Sequence, residues 1–411
     1  MKKVLMIGAG IGQVPISLLV KDRGYYLIVV TIPGDYPCIE LADKVYYVDI
    51  FKREEVLRIA KEEKIDAVIS DQNDLMMPTV AYVAEHLSLP GNTFSQVDAY
   101  CNKNIFRQNC DILGIPVPKH TRVLEVRIPD EFKEIPFPWM VKPEDSQSSI
   151  GVSKVNSTEE YFAAIEHALK CSRNGAAIVE EFFVGDEIVV EGFIYKGEYF
   201  NLGIADRRYF NLPNIFIPSQ TIFPSTISDD IKQQCIECEQ KMCQYINPSF
   251  AIVHAEYLVN QATGEIRIVE SALRGGGVYI SSHLVPLTTG IDINSILLNC
   301  ALGQDVDIED VMNMKEDKSS AYVCFNLPEG VINSVAGISE VKAMPNVTFF
   351  DDSNLKVGSY TGKMEVKGNR KGPIIVHADN RDQLEEVISK LPKILNITVF
   401  GTDADCDIIW N

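Results

Sequence analysis

Two glutamates stand where a carboxylate is costly. Glu256 lies in the apolar run AIVHAEYLV (251–259), and Glu270 lies in IRIVESAL (266–273). A charge buried in such a strand needs an ionic partner or a metal. The Thr263-Gly264 pair between the runs marks a turn, and the two glutamates are about equidistant from it. They should face each other across one antiparallel hairpin. Facing carboxylates repel, and a divalent cation would relieve the repulsion. Pairing to Arg267 or Arg274 would relieve it too. His254 precedes Glu256 by two residues and shares its strand face. It reads either as a substrate contact or as a core histidine with satisfied hydrogen bonds.

Other suggestive residues have ordinary readings when taken singly. Lys142 follows the apolar stretch of FPWMVKPEDSQSSIGV (137–152), and the polar loop 144–151 would serve as a hairpin turn. Glu180 and Glu181 read as a solvent-facing pair, and Arg207 and Arg208 as a charged strand end or a carboxylate ligand. The only cysteine cluster is Cys235, Cys238 and Cys243, and Ile231, Cys235, Cys238 and Met242 fall along one helix face, which indicates buried helix cysteines and no metal knuckle. The ten cysteines follow no repeating frame. Reduced thiols and a cytoplasmic protein are expected. The opening stretch VLMIGAGIGQVP (4–15) has glycines at 8, 10 and 12 but Gln13 where a dinucleotide fingerprint needs its third glycine. The next strand also ends without the acid that would bind a ribose, so this loop is expected to wall a substrate pocket and not to hold a dinucleotide.

These residues need a scaffold of more than one core. A chain of 411 residues suggests two to three domains. Residues 1–90 alternate short β-rich runs with helical stretches, the pattern of a parallel sheet covered on both faces. A helical stretch over 95–113 follows, then strand, loop and strand around Lys142, a capped helix STEEYFAAIEHALK, and three strands (176–210). The cysteine helix and the Glu256–Glu270 hairpin come next, and a glycine-rich tail contains one clear helix, NRDQLEEVISKL. The formal charge of −19, from 38 basic and 57 acidic residues, repels phosphate backbones and acidic membranes. No apolar run approaches the roughly 20 residues of a membrane span. Small molecules are the expected partners, with no nucleic acid and no membrane.

Taken in order, Lys103 at the start of a helix, the Lys142 strand with its loop, IVEEFFVGDEIVVEG, HAEYLV and IRIVESALRGGG resemble the ATP-grasp superfamily of carboxylate–amine and carboxylate–thiol ligases. The resemblance covers roughly residues 1–310. It implies an α/β chain, α+β within the grasp, in three parts: a pre-ATP-grasp domain (1–94), an ATP-grasp domain (95–319) with a mobile lid at about 115–185, and a small C-terminal α+β domain (320–411). It also implies the ligands. Lys103 and Lys142 match lysines on the nucleotide phosphates, and Ser148, Ser149 and Gly151 match a loop that closes over them. The 180–183 strand (Glu180, Glu181, Phe182, Phe183) matches the backbone that reads adenine, and Glu187 the ribose ligand. Glu256 and Glu270 match ligands of Mg2+, with Mn2+ as a substitute, and Arg274 matches a catalytic arginine. His254, Arg207, Arg208, Gly276 and Gly277 are left for the substrate.

The implied chemistry is amide or peptide bond formation. ATP converts a carboxylate to an acyl phosphate, and an amine displaces phosphate. The tail (357–391) is similar to that of the amino-acid ligases that make dipeptides, which points to an amino acid substrate and allows a homodimer. One position departs from the family pattern: Ala272 stands where an asparagine ligand is usual. Two alternatives follow, a carboxylase that activates bicarbonate and a nucleotide-binding protein without catalysis.

Overall fold

The computed structural model describes residues 1–145, 150–212, 217–364, 367–402 and 404–410. The chain begins with four parallel strands, β1 (Lys3–Ile7), β2 (Tyr26–Thr31), β3 (Lys44–Tyr47) and β4 (Ala67–Ile69), in the order β3-β2-β1-β4. Alternate residues of β1 and β2 feed two cores. Val4, Met6, Leu27 and Val29 pack on helix Val14–Asp22 and on Leu298 and Ala301 of helix Ile293–Ala301. Leu5, Ile7, Ile28 and Val30 pack on helices Arg53–Glu63 and Met77–Leu87. The expected sheet with both faces covered is therefore present. Gly8 ends β1 at φ +92°, a backbone region that disfavours side chains, and an added Cβ would lie 2.3 Å from the Met76 side chain.

The helical stretch expected over 95–113 is two helices, Phe94–Cys101 and Lys103–Leu113. Asn102 breaks it because its side chain accepts the backbone N–H groups of Asn104 and Ile105 as an N-cap. This cap sets Lys103 at the first position of the second helix. An antiparallel sheet follows, β5 (His120–Val123), β6 (Trp139–Pro143), β7 (Ser153–Val155) and β8 (Ala177–Glu181), in the order β5-β8-β6-β7. Helix Thr158–Cys171, capped by Ser157, covers it through Tyr161, Ile165 and Ala168. This layer occupies the segment expected to form a lid.

The largest sheet has eight strands. Its first six are β9 (Asp186–Tyr195), β10 (Glu198–Tyr209), β11 (Pro218–Phe223), β12 (Phe250–Asn260), β13 (Glu265–Ala272) and β14 (Ser319–Phe325). The tail adds β15 (Gly330–Ala336), β16 (Val347–Phe350), β17 (Tyr360–Thr361), β18 (Lys371–Ala378) and β19 (Asn396–Val399). The order is β13-β12-β9-β10-β11-β14-β18-β16, and β15, β17 and β19 form a small separate sheet. Strands β14, β16 and β18 thus extend the central sheet across the expected boundary at 319/320, through the β11–β14 ladder. Among the described residues, no single helix is long and apolar enough to cross a membrane. All ten cysteines are unpaired thiols.

Helix Asp229–Ile246 packs beneath the β12–β13 hairpin, with Ile231, Cys235, Cys238 and Met242 buried as their spacing indicated, and Cys243 buried as well. One polar residue on this face, Glu239, is also buried. Tyr257 donates to it at 2.6 Å and Ser271 at 2.8 Å, so it joins both strands of the hairpin from below. Burial pushes its carboxyl up to about 7, against the pull of those hydrogen bonds.

Two outcomes follow from these features. Gly8→Ala should destabilise the fold by about 1–2 kcal/mol through its left-handed backbone, read as a lowered melting temperature. The raised Glu239 value means that the folded chain keeps a proton the unfolded chain has lost. Stability should therefore fall as pH rises from the ordinary value of 4.5 toward about 7, then level off. Glu239→Gln should lose this dependence, gaining on the order of 2–3 kcal/mol relative to the parent at pH 8 compared with pH 5. Urea unfolding of both proteins at the two pH values would show parallel changes if the idea is wrong.

Candidate active site

The β12–β13 hairpin places Glu256 directly opposite Glu270, as the distance from the turn indicated. A bulge makes this pairing. From Asn260–Glu265 to Tyr257–Ile268 the ladder runs without a slip, and continued it would oppose Glu256 to Val269. Val269 is instead the extra residue, and beyond it Glu256 pairs with Glu270, Ala255 with Ser271 and His254 with Ala272. Ser271 then points away, to Glu239. Both glutamates line a cleft of about 460 Å³.

Each glutamate has a nearby guanidinium. Arg207, its side chain 5% exposed, donates through Nη1 to Glu256 and to Glu187, the latter at 2.5 Å. Burial opposes the charge on Arg207, but Glu256 and Glu187 outweigh it and hold the guanidinium protonated. Tyr209 donates to the other Glu187 oxygen. Arg274 clamps Asp74 in a bidentate pair, Nε–Oδ1 3.0 Å and Nη2–Oδ2 2.8 Å, and lies 3.9 Å from Glu270. Arg267, one of the two partners open at the sequence level, stacks on Phe183 at 4.7 Å. His254 is both a core and a cleft residue. Its Nδ1 bonds buried Glu191, its Nε2 lies 3.4 Å from Glu256, and it lines the cleft.

Lys103 lines the same cleft from its helix start. Lys142 is buried and is not a surface lysine; its ammonium pairs with Glu180 at 2.6 Å. Burial pulls its pKa below the usual lysine value, and Glu180 pulls the other way. Glu180 is likewise buried and not solvent-facing, and it also accepts Arg107 Nε at 2.8 Å. Glu181 accepts the Lys119 N–H at 3.1 Å, and Phe182 lies under the Lys154 ammonium at 3.9 Å. Gly151 has φ +74°, and an added Cβ would press on Pro143 at 2.7 Å. Ser148 and Ser149 lie outside the described residues. A Cβ on Gly276 would meet Glu191 and His254 at 2.7 and 2.8 Å, while Gly277 borders the cleft. Arg208 is not brought to the cleft; it pairs with Glu385 at 2.7 Å and with Gln220 at 3.1 Å.

The opening glycine loop does not wall the cleft. Gln13 is buried and donates to the Asp71 carbonyl, so the loop backs the segment after β4, which does. There Gln72, Asn73 and Asp74 face the cleft, with Gln72 at φ +59°. Buried Asp71 accepts from the Gly275 N–H at 2.8 Å and Ser281 Oγ at 2.9 Å, tying this segment to the one after Arg274. The sequence reading missed these residues. Their signal was the polar run SDQND (70–74) at the carboxyl end of a parallel strand, where ligands of open α/β sheets gather. Arg53, Arg173 and Arg370 also border the cleft, from three distant parts of the chain.

A divalent cation fits the glutamate pair by donor chemistry, since both are oxygen ligands on one face. Ala272 adds no donor. Among the described residues, no group of three His, Cys, Asp or Glu is disposed to hold a metal alone. A cation here would complete its shell with water and phosphate oxygens, as magnesium commonly does.

Comparison with known proteins shows what the chain is similar to. Residues 135–282 match the family model of the ATP-grasp domain. The chain is similar to alanine–anticapsin ligase of Bacillus subtilis, 26% identical over 283 residues, which covers 62% of this chain and 58% of the relative. It therefore spans less than two thirds of that relative's length. A D-alanine–D-alanine ligase of Flavobacterium johnsoniae is 33% identical over 151 residues, 34% of this chain and 46% of that one. Among solved structures, an L-amino acid ligase from Bacillus licheniformis shares the fold with a TM-score of 0.82 at 19% identity, over 97% of this chain and 99% of the other. A phosphoribosylglycinamide synthetase from Anaerococcus prevotii does so with a TM-score of 0.77 at 20% identity, over the same shares. The chain is an α/β protein with a parallel-sheet N-terminal domain, and its residues 135–282 match the model of the ATP-grasp domain.

Proposed function

We propose that the chain is an ATP-dependent carboxylate–amine ligase acting on an amino acid. The observation that carries this reading is the facing pair Glu256 and Glu270 in one cleft with Lys103 and Arg274, within an ATP-grasp domain. Glu256 and Glu270 would hold Mg2+, or Mn2+ in its place, which supplies charge neutralisation at the phosphates. Lys103 and Lys142 add fixed positive charge, and Glu187 takes the ribose hydroxyls once it shares Arg207 and Tyr209 with them. The backbone of 180–183 reads adenine, and Gly151 with Ser148 and Ser149 closes over the phosphates.

In this reading a carboxylate oxygen attacks the γ-phosphorus of ATP, giving an acyl phosphate and ADP. The amine then attacks the acyl carbon, phosphate leaves with the C–O bond electrons, and the nitrogen loses a proton to solvent or phosphate. Arg274 sits beside Glu270, fixed by Asp74, and stabilises charge on the acyl oxygens without having to reorganise. No protein nucleophile is required. The substrates are small molecules, and the work of the chain is to position them and exclude water.

Phosphate release from ATP with Mg2+ and pooled amino acids should exceed release without them, with dipeptide-mass products in the mixture. Release that needs bicarbonate and no amino acid would favour a carboxylase. ATP binding without release under any pool would leave only a nucleotide-binding protein. Glu270→Ala should lower turnover by about 100-fold or more with its melting temperature nearly unchanged; unaltered turnover would remove the cation from Glu270.

A further inference from the structure

Among the described residues, the largest side chain wholly buried is an arginine, Arg107. It lies one turn after Lys103 on helix Lys103–Leu113. Its Nε donates to Glu180 Oε1 at 2.8 Å, and the other Glu180 oxygen pairs with Lys142 at 2.6 Å. Its Nη2 donates to the Val269 carbonyl at 2.8 Å. A buried guanidinium is expensive to desolvate, and one that spans a carboxylate and a carbonyl fixes both.

Val269 is the bulge residue that brings Glu270 opposite Glu256. If the ladder ran on without the bulge, Glu270 would oppose Ala255, and its side chain would turn to the other face of the sheet. Ser271, not Glu270, would then point into the cleft. The carbonyl of a bulged residue is also withdrawn from the regular ladder and needs a donor from elsewhere. Arg107 supplies that donor. Its other arm holds Glu180, whose second oxygen sets the ammonium of Lys142.

We infer that Arg107 is a positioning residue that pins the Val269 bulge, keeping Glu270 on the cation-binding face, while its bond to Glu180 fixes Lys142 for phosphate. The inference rests on the proposed reading of Glu256, Glu270 and Lys142 as ligands of cation and nucleotide. Arg107 touches neither ligand. Two arms give two separable effects. Lysine keeps a charge for Glu180 but lacks the planar fork that also reaches Val269. Methionine keeps the apolar stem and neither arm.

Calorimetric titration with ADP, and Mn2+ titration of the ADP complex followed by electron paramagnetic resonance, test this in the full chain. Wild type should bind ADP and then Mn2+. Arg107→Lys should bind ADP within about threefold of wild type but Mn2+ about 10–100-fold more weakly, the usual loss when a support behind a metal ligand is removed. Arg107→Met should lose affinity for both. Melting curves establish that each variant is folded, and Arg107→Lys carries the test if Arg107→Met is not. Equal Mn2+ affinity in wild type and Arg107→Lys would overturn the inference while leaving the nucleotide site standing. So would ADP and Mn2+ affinities that fall by the same factor in that variant. Wild type that binds no ADP would overturn the ligase reading itself, and the inference with it.

Discussion

Two carboxylates side by side on one face of an antiparallel pair repel, and the rest of the cleft is organised around that repulsion. Glu256 and Glu270 meet only because β13 carries one extra residue at Val269. The bulge is held from one side by Arg107 and from below by Glu239, which takes hydrogen bonds from Tyr257 and Ser271, the residues after each glutamate. Arg207 and Arg274 then supply positive charge at the two carboxylates. A hairpin with such demands could not stand alone, since every one of these groups is buried or half-buried and must find its partner on another element.

Those partners come from all parts of the chain. Asp74, from the N-terminal domain, orients Arg274, and Asp71 binds the backbone just beyond it. Glu187 on β9 shares Arg207 of β10 with Glu256 of β12, three neighbouring strands of the central sheet. Arg370 borders the cleft from the tail, whose strands continue that sheet. The cleft is thus closed by covalently distant segments, and its acids and bases are pre-paired in a low-dielectric surrounding where each pair is strong. In the proposed reading, a nucleotide and cation entering it would exchange partners with groups already in place, which limits the reorganisation required.

Much of this was legible from residue types. Apolar runs alternating with helices gave the parallel sheet, because a strand buried on both faces needs apolar residues at successive positions. The spacing of Cys235, Cys238 and Met242 identified a buried helix face, and the turn at Gly264 placed the two glutamates opposite each other. Less legible were the features set by one residue's side-chain bonds. The stretch 95–113 is periodic enough for a single helix, but the Asn102 cap divides it. The glycines at 8, 10 and 12 suggested a pocket wall, yet their loop carries Gln13 to the Asp71 backbone and backs the true wall. Arg208 and Arg207 are adjacent and were read alike. The pleat sends Arg207 to the cleft and Arg208 to Glu385 of helix Arg381–Ile394.

By itself, the sequence determined the class of the fold, the order of its elements and a succession of residue types from Lys103 to Arg274 that resembles a nucleotide-binding set. These depend on local periodicity and on the order of residue types, which are properties of the chain read along its length. Only the tertiary structure decided which charges meet. Glu180 reads as a surface acid until the fold buries it between Lys142 and Arg107. Asp74 and Arg274 are 200 residues apart and become a bidentate pair. Burial and ionic partnership are fixed by what other segments bring to the same few ångströms, and no local pattern records that meeting.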